Sequence, residues 1–193
     1  MKNAKIYRMA SVALLMAMVV VLQFVGGMLP PVGGFSISLV LIPIVLGGAM
    51  FGRKVGALLG ATFGVVVAIN CVTGADVGGA IVFQANPILC ILVVLGKGIL
   101  AGAASAFVFK WIAPKNVHVA MLLAAIVCPV VNTGTFIACM MLFFREVLAA
   151  WAGGSNIVAY ILSGLVLANF VPELIINVVF SPVGVRIKDI VSK

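Results

Sequence analysis

Apolar residues along this chain gather into six long stretches, separated by short charged or glycine-rich connectors. The stretches cover residues 9–25, 37–51, 55–70, 87–109, 118–143 and 157–180. A helix needs about 20 apolar residues, with a lower limit near 17, to cross the hydrocarbon core of a bilayer. The first, fourth, fifth and sixth stretches meet that requirement. The second and third are shorter and are separated by Gly52-Arg53-Lys54, a tight charged turn, so each is expected to be tilted or partly covered by protein. No stretch shows the period-2 alternation of a membrane barrel, and an open sheet edge has no hydrogen-bond partners in lipid. The pattern predicts an all-α integral membrane protein of six transmembrane helices, forming one domain over residues 1–193.

Composition supports lipid as the main solvent. Of the 193 residues, 65% are hydrophobic and only 8% charged, against about 25% charged in a soluble domain. The net charge of +8 is scattered in small groups between apolar runs. A nucleic-acid-binding face would need it gathered into a stripe. Instead the distribution sets orientation, because cytoplasmic loops of membrane proteins are enriched in Lys and Arg. Ten of the 12 basic residues fall at the two termini, the Arg53-Lys54 turn and the Lys110/Lys115 loop. Both termini are therefore expected in the cytoplasm. The apolar run after Lys2, Lys5 and Arg8 exceeds the 7–15 residues of a signal-peptide core, and is read as a retained first membrane helix.

Three connectors lie on the opposite, outer side: 26–34, 71–86 and 151–156. They are rich in Gly and polar groups and are expected to cover a site. Gln84 and Asn86 of the second connector are candidate ligand contacts. Stronger candidates sit at membrane depth. Lys97 and Glu173 are the two charged residues deep within the apolar stretches, and Asn132 and Asn169 fall near the depth of Lys97. A charge at that depth costs at least about 2.5–3.5 kcal/mol, so it is expected to face the bundle interior with a partner. Two readings follow: an ion pair between Lys97 and Glu173 that fixes packing, and a ligand site lined by all four. Pro129 and Pro172 stand beside these polar groups, and each removes a backbone donor and can kink its helix.

Small residues recur at helical spacing. Gly56, Gly60 and Gly64 form a double GxxxG, Gly98 and Gly102 another, and Ala13 and Ala17 an AxxxA preceded by Ala10. Such residues let helices approach closely. The glycines are expected to pack inside the chain, and the alanines to face a partner. The cysteines Cys71, Cys90, Cys128 and Cys139 form no CxxC pair and no metal-ligand spacing with His118, so they read as polarizable core residues. There is no GxxxxGK[ST], no HExxH and no Ser/His/Asp set. The chain is accordingly expected to be no enzyme, to carry no metal or cofactor, and to depend on another subunit for any use of ATP.

The run Ser36-Ile37-Ser38-Leu39-Val40-Leu41-Ile42-Pro43, then Gly47-Gly48, Phe51-Gly52, the Gly56/Gly60/Gly64 series, Lys97-Gly98 with Gly102, and Pro182 with Arg186 resemble the S components of energy-coupling factor transporters. The likeness extends over nearly the whole chain. Arg53 stands where many members have Pro. The resemblance implies a six-helix, multi-pass substrate-capture protein of the prokaryotic plasma membrane. It implies a vitamin-like substrate held near the outer face by the later helices. It further implies a transmembrane coupling subunit that docks on Ala13 and Ala17, and two cytoplasmic ATPase subunits. Lys97 would suit a carboxylate or phosphate and the asparagines would suit amides and hydroxyls, which favours a small polar acid such as pantothenate. Phe83, Trp151 and Tyr160 offer stacking surfaces that would suit riboflavin or folate. The alternative reading is a self-sufficient secondary transporter coupled to protons through Glu173.

Overall fold

The computed structural model describes residues 2–28 and 39–191. Among these the chain is helical, with no strand: α1 (Lys2–Met28), α2 (Leu41–Phe51), α3 (Arg53–Thr73), α4 (Val77–Ala85), α5 (Pro87–Ile112), α6 (Val117–Phe143), α7 (Arg145–Ala152), α8 (Ile157–Tyr160), a π-helical segment (Ile161–Phe170) and α9 (Val171–Val191). Five helical stretches are long and apolar enough to cross a membrane: Lys5–Gly27, Arg53–Thr73, Pro87–Ile112, Val117–Phe143 and Ile157–Ile190. The second apolar stretch departs from expectation. Its first two residues lie outside the described region, and its helix, α2, has 11 residues. At 1.5 Å per residue that is about half of a bilayer core. Protein rather than lipid surrounds most of it, since Leu41, Pro43, Ile44, Val45, Leu46, Gly47 and Gly48 are all buried.

The bundle is organised around α3 and α5. A Cβ added to Gly56 or Gly60 would overlap the backbone of Gly102 or Gly98, and the reverse substitutions meet the same two partners. One turn further on, a Cβ on Gly64 would stand 2.7 Å from Leu95 Cα. The two helices therefore run antiparallel with their backbones in contact. In lipid, association draws on van der Waals contact rather than hydrophobic burial, and glycines maximise that contact. The expectation that these glycines pack within the chain is met. Gly48 of α2 lies against Ala106 of the same seam. Gly52, at φ +89°, makes the turn from α2 into α3 that a side chain would strain. Arg53, just beyond it, stacks over the Phe107 ring at 5.4 Å, and Arg8 of α1 donates to the terminal carbonyl of α2 at Phe51, 3.3 Å away.

Two connectors expected as loops contain helices. Asp76 accepts a hydrogen bond from Gly79 N at 3.2 Å and so caps α4, and α7 occupies the region before Gly153. The last long helix is also irregular. Pro172 has no N–H to offer the carbonyl four residues back. The turns before it adopt π geometry, with Val171 N bonding Val166 O.

The seam yields a test with an internal control. Nothing lies within 4 Å of a Cβ placed on Gly96, whereas one on Gly98 meets the Gly60 backbone. Gly98→Ala should destabilise the detergent-solubilised protein by about 1–3 kcal/mol through overpacking. Gly96→Ala should be neutral or stabilising by up to ~1 kcal/mol from helix propensity. Thermal unfolding of the two variants distinguishes them, and equal melting temperatures would show that the seam is not closely packed.

Candidate functional site

Beyond the glycine seam, Phe63, Val67 and Asn70 of α3 and Val93, Val94 and Lys97 of α5 form one wall of a cavity of about 260 Å³ that extends to the α3–α4 turn at Ala75 and Asp76. Lys97 of α5, Asn132 of α6, Asn169 of the π segment and Glu173 of α9 all line it. These four come from three separate apolar stretches, and the bundle gathers them into one space. The backbone irregularities lie beside them. Asn132 follows Pro129 by less than one turn of α6. Asn169 sits within the π segment, and Glu173 immediately follows Pro172. π segments are rare and concentrate at functional sites. Asn177 Nδ2 donates to the Glu173 carbonyl at 2.8 Å and reinforces the first turn of α9.

Lys97 and Glu173 share the cavity. The Lys97 ammonium lies over two aromatic faces, 5.0 Å from the centre of the Phe136 ring and 5.5 Å from that of Phe63. Such cation–π contacts are worth about 0.5–2 kcal/mol. They hold a cation at low dielectric through ring faces, which do not accept its N–H groups as a carboxylate would. Close by, the Oδ1 atoms of Asn132 and Asn169 are buried and have no hydrogen-bond partner among the described residues. Each such orphan costs about 1–3 kcal/mol. Among the described residues the cavity thus brings together the Lys97 ammonium, the unmet acceptors of Asn132 and Asn169, and the carboxylates of Asp76 and Glu173.

Two expected contacts lie elsewhere. Gln84 is exposed on α4, and the Asn86 carboxamide is used in capping α5, accepting from Leu89 N at 3.1 Å. Neither lines the cavity. Phe83, Trp151 and Tyr160 also lie outside its lining, and the latter two pack on each other with ring centres 6.4 Å apart. The aromatic lining comes from Phe24, Phe63 and Phe136. Cys71, expected at the start of an outer connector, is in the last turns of α3 and only 2% exposed. Four polar lining residues escaped the sequence reading: Gln23, Asn70, Asp76 and Thr133. Gln23 carried a signal, as the lone polar side chain near the end of the first apolar run. Thr133 adjoins Asn132 and was detectable only by association.

Replacing Asn132 with Leu separates a binding role from a structural one. The change removes a desolvated acceptor, so the empty protein should gain about 1–3 kcal/mol while losing any stabilisation by ligand. Melting curves with and without solute measure both effects. A destabilised empty variant would mean that Asn132 serves the fold.

No individual curated protein and no solved structure was found to match this chain. A family model does: that of the ECF transporter substrate-specific component, over residues 7–184. A match of that extent, on an all-helical chain whose deep polar groups converge on one cavity, makes this multi-pass membrane protein a member of the family of substrate-binding components of ECF transporters.

Proposed function

We propose that the chain captures a small, anionic, hydroxyl- or amide-bearing micronutrient, with pantothenate as the type of molecule, and passes it to an ATP-driven import complex. The observation that carries this reading is the coincidence of Lys97 with the two orphan acceptors of Asn132 and Asn169 in one cavity. An anion would take the ammonium donors, and ligand N–H or O–H groups would take the carboxamide oxygens. The volume of about 260 Å³ is small beside the roughly 300–1,000 Å³ of common ligand sites. This favours a compact acid over riboflavin or folate. Calorimetric titration of Lys97→Met with pantothenate tests the assignment. Loss of a buried charge partner should weaken binding by about 2–5 kcal/mol, at least roughly 30-fold. Undiminished affinity in that variant would confine Lys97 to packing.

The same reading has six membrane-crossing segments, α2 among them, and cytoplasmic termini, supported by the basic bias of the loops. A C-terminal epitope reachable only from outside intact cells would reverse this orientation.

Delivery requires a coupling subunit in the membrane and two cytoplasmic ATPases. Ala10, Ala13 and Ala17 are exposed on α1, which leaves a flat, small-residue face available for close helix contact. The double substitution Ala13→Trp/Ala17→Trp should abolish co-purification with the coupling subunit and leave solute affinity intact. Normal complex yield would mean that this face meets only lipid.

A further inference from the structure

Cys71 and Cys90 belong to different helices and to no recognisable motif, yet the seam brings them together. Gly60 faces Gly98 and Gly64 faces Leu95. Seven residues further along α3 is Cys71, and seven residues back along α5 is position 88, close to Cys90. Both sulfurs flank Gly79 of α4. Cys90 Sγ lies 4.0 Å from Gly79 O, and Cys71 Sγ fills the space where a Gly79 side chain would stand. The two thiols therefore have the same glycine as a neighbour, one on either helix of the seam. A disulfide spans Cα atoms about 4.4–6.8 Å apart, a separation that neighbouring helices reach only where small residues let them close. Both side chains are almost wholly buried, at 2% and 1% exposure. Both nevertheless line the cavity, which gives a small reagent its route to them.

We propose that Cys71 and Cys90 are a reversible redox pair, whose disulfide ties α3 to α5 and fixes the wall of the cavity that α4 supplies. The oxidant is a small aliphatic disulfide entering the cavity. One cysteine, as thiolate, attacks a sulfur of this molecule, forming a mixed disulfide and expelling one small thiolate. The second cysteine then attacks the protein sulfur of the mixed disulfide and expels the second. The two protein thiols lose two electrons and two protons in total, and the small disulfide is reduced to two thiols. An excess of dithiol reverses both steps. The bond encloses α4, which contributes Gly79 and Val82 to the cavity lining and carries Asp76 at its cap. Oxidation therefore acts on the wall of the binding cavity without touching Lys97, Asn132 or Asn169.

Treatment of the purified full-length chain with cystamine, followed by denaturing alkylation and peptide mass spectrometry, tests the pair. The expected result is a peptide containing Cys71 joined to one containing Cys90, released by dithiothreitol, with Cys128 and Cys139 fully alkylated. In Cys71→Ser the cross-link should vanish and Cys90 should carry a single cysteamine adduct. The proposal is overturned if Cys71 and Cys90 remain alkylatable after cystamine. It is equally overturned if they carry separate adducts without joining, or if the cross-link involves Cys128 or Cys139. The readout is covalent and needs neither solute nor partner subunit, so its failure is distinct from a failure of the transport reading.

Discussion

Backbone contact between α3 and α5 is the constraint on which the rest of this protein depends. In water, two helices are pushed together by the apolar surface they hide. In lipid that push is absent, and proximity itself must supply the attraction. Gly56, Gly60 and Gly64 against Gly102, Gly98 and Leu95 supply it by bringing the main chains into direct contact. The same contact sets the register of α5, and so the depth at which Lys97 enters the cavity beside Phe63. It also places Ile44 and Gly48 of α2 against the seam, which keeps this 11-residue helix covered by protein.

The cavity is stabilised in ways that leave its chemistry unfinished. A lysine ammonium at membrane depth ordinarily pairs with a carboxylate or moves out to the interface. Here it rests on two aromatic faces, an arrangement that tolerates the charge without neutralising it. The carboxamide oxygens of Asn132 and Asn169 go further and accept no bond among the described residues. A fold selected only for stability would have apolar residues at these positions, since an apolar replacement of the same shape spares the desolvation cost. Groups left in this state suit a solute that satisfies them on arrival, which agrees with a capture protein.

The cavity lining was most legible where one residue type at one depth carries the whole meaning. Lys97, Asn132, Asn169 and Glu173 are conspicuous because lipid makes each of them expensive, and all four line the cavity. The glycines of α3 and α5 were legible for the same kind of reason. Gln84 and Asn86 do not line the cavity, and polarity in a connector has local uses. Asn86 serves as a helix cap, which a sequence shows only once the start of α5 is known. The protein cover of α2 agrees with the expectation for a short apolar stretch, but hydropathy alone does not show that Leu39-Val40 form a turn before the helix starts at Leu41. The nearness of Cys71 to Cys90 was invisible because it follows from the α3–α5 register, a long-range quantity. The irregularity at Pro172 was foreseen as a kink, but a missing donor alone does not specify that the turns before it become π-helical.

That π segment divides the cavity into two mechanically unlike halves. The α3–α5 half is held by main-chain contact along several turns and cannot shift without breaking many contacts at once. The other half includes Leu165 and Asn169, borne on turns whose hydrogen bonds follow the wider pattern seen from Val171 to Val166. Wide turns have a nearby competitor in the α register, and exchange between the two winds or unwinds the helix locally without dismantling it. The cavity therefore has a stiff jaw and a compliant one. Under the proposed capture reading, a solute would meet the wider turns through Asn169 and the closely packed α5 through Lys97.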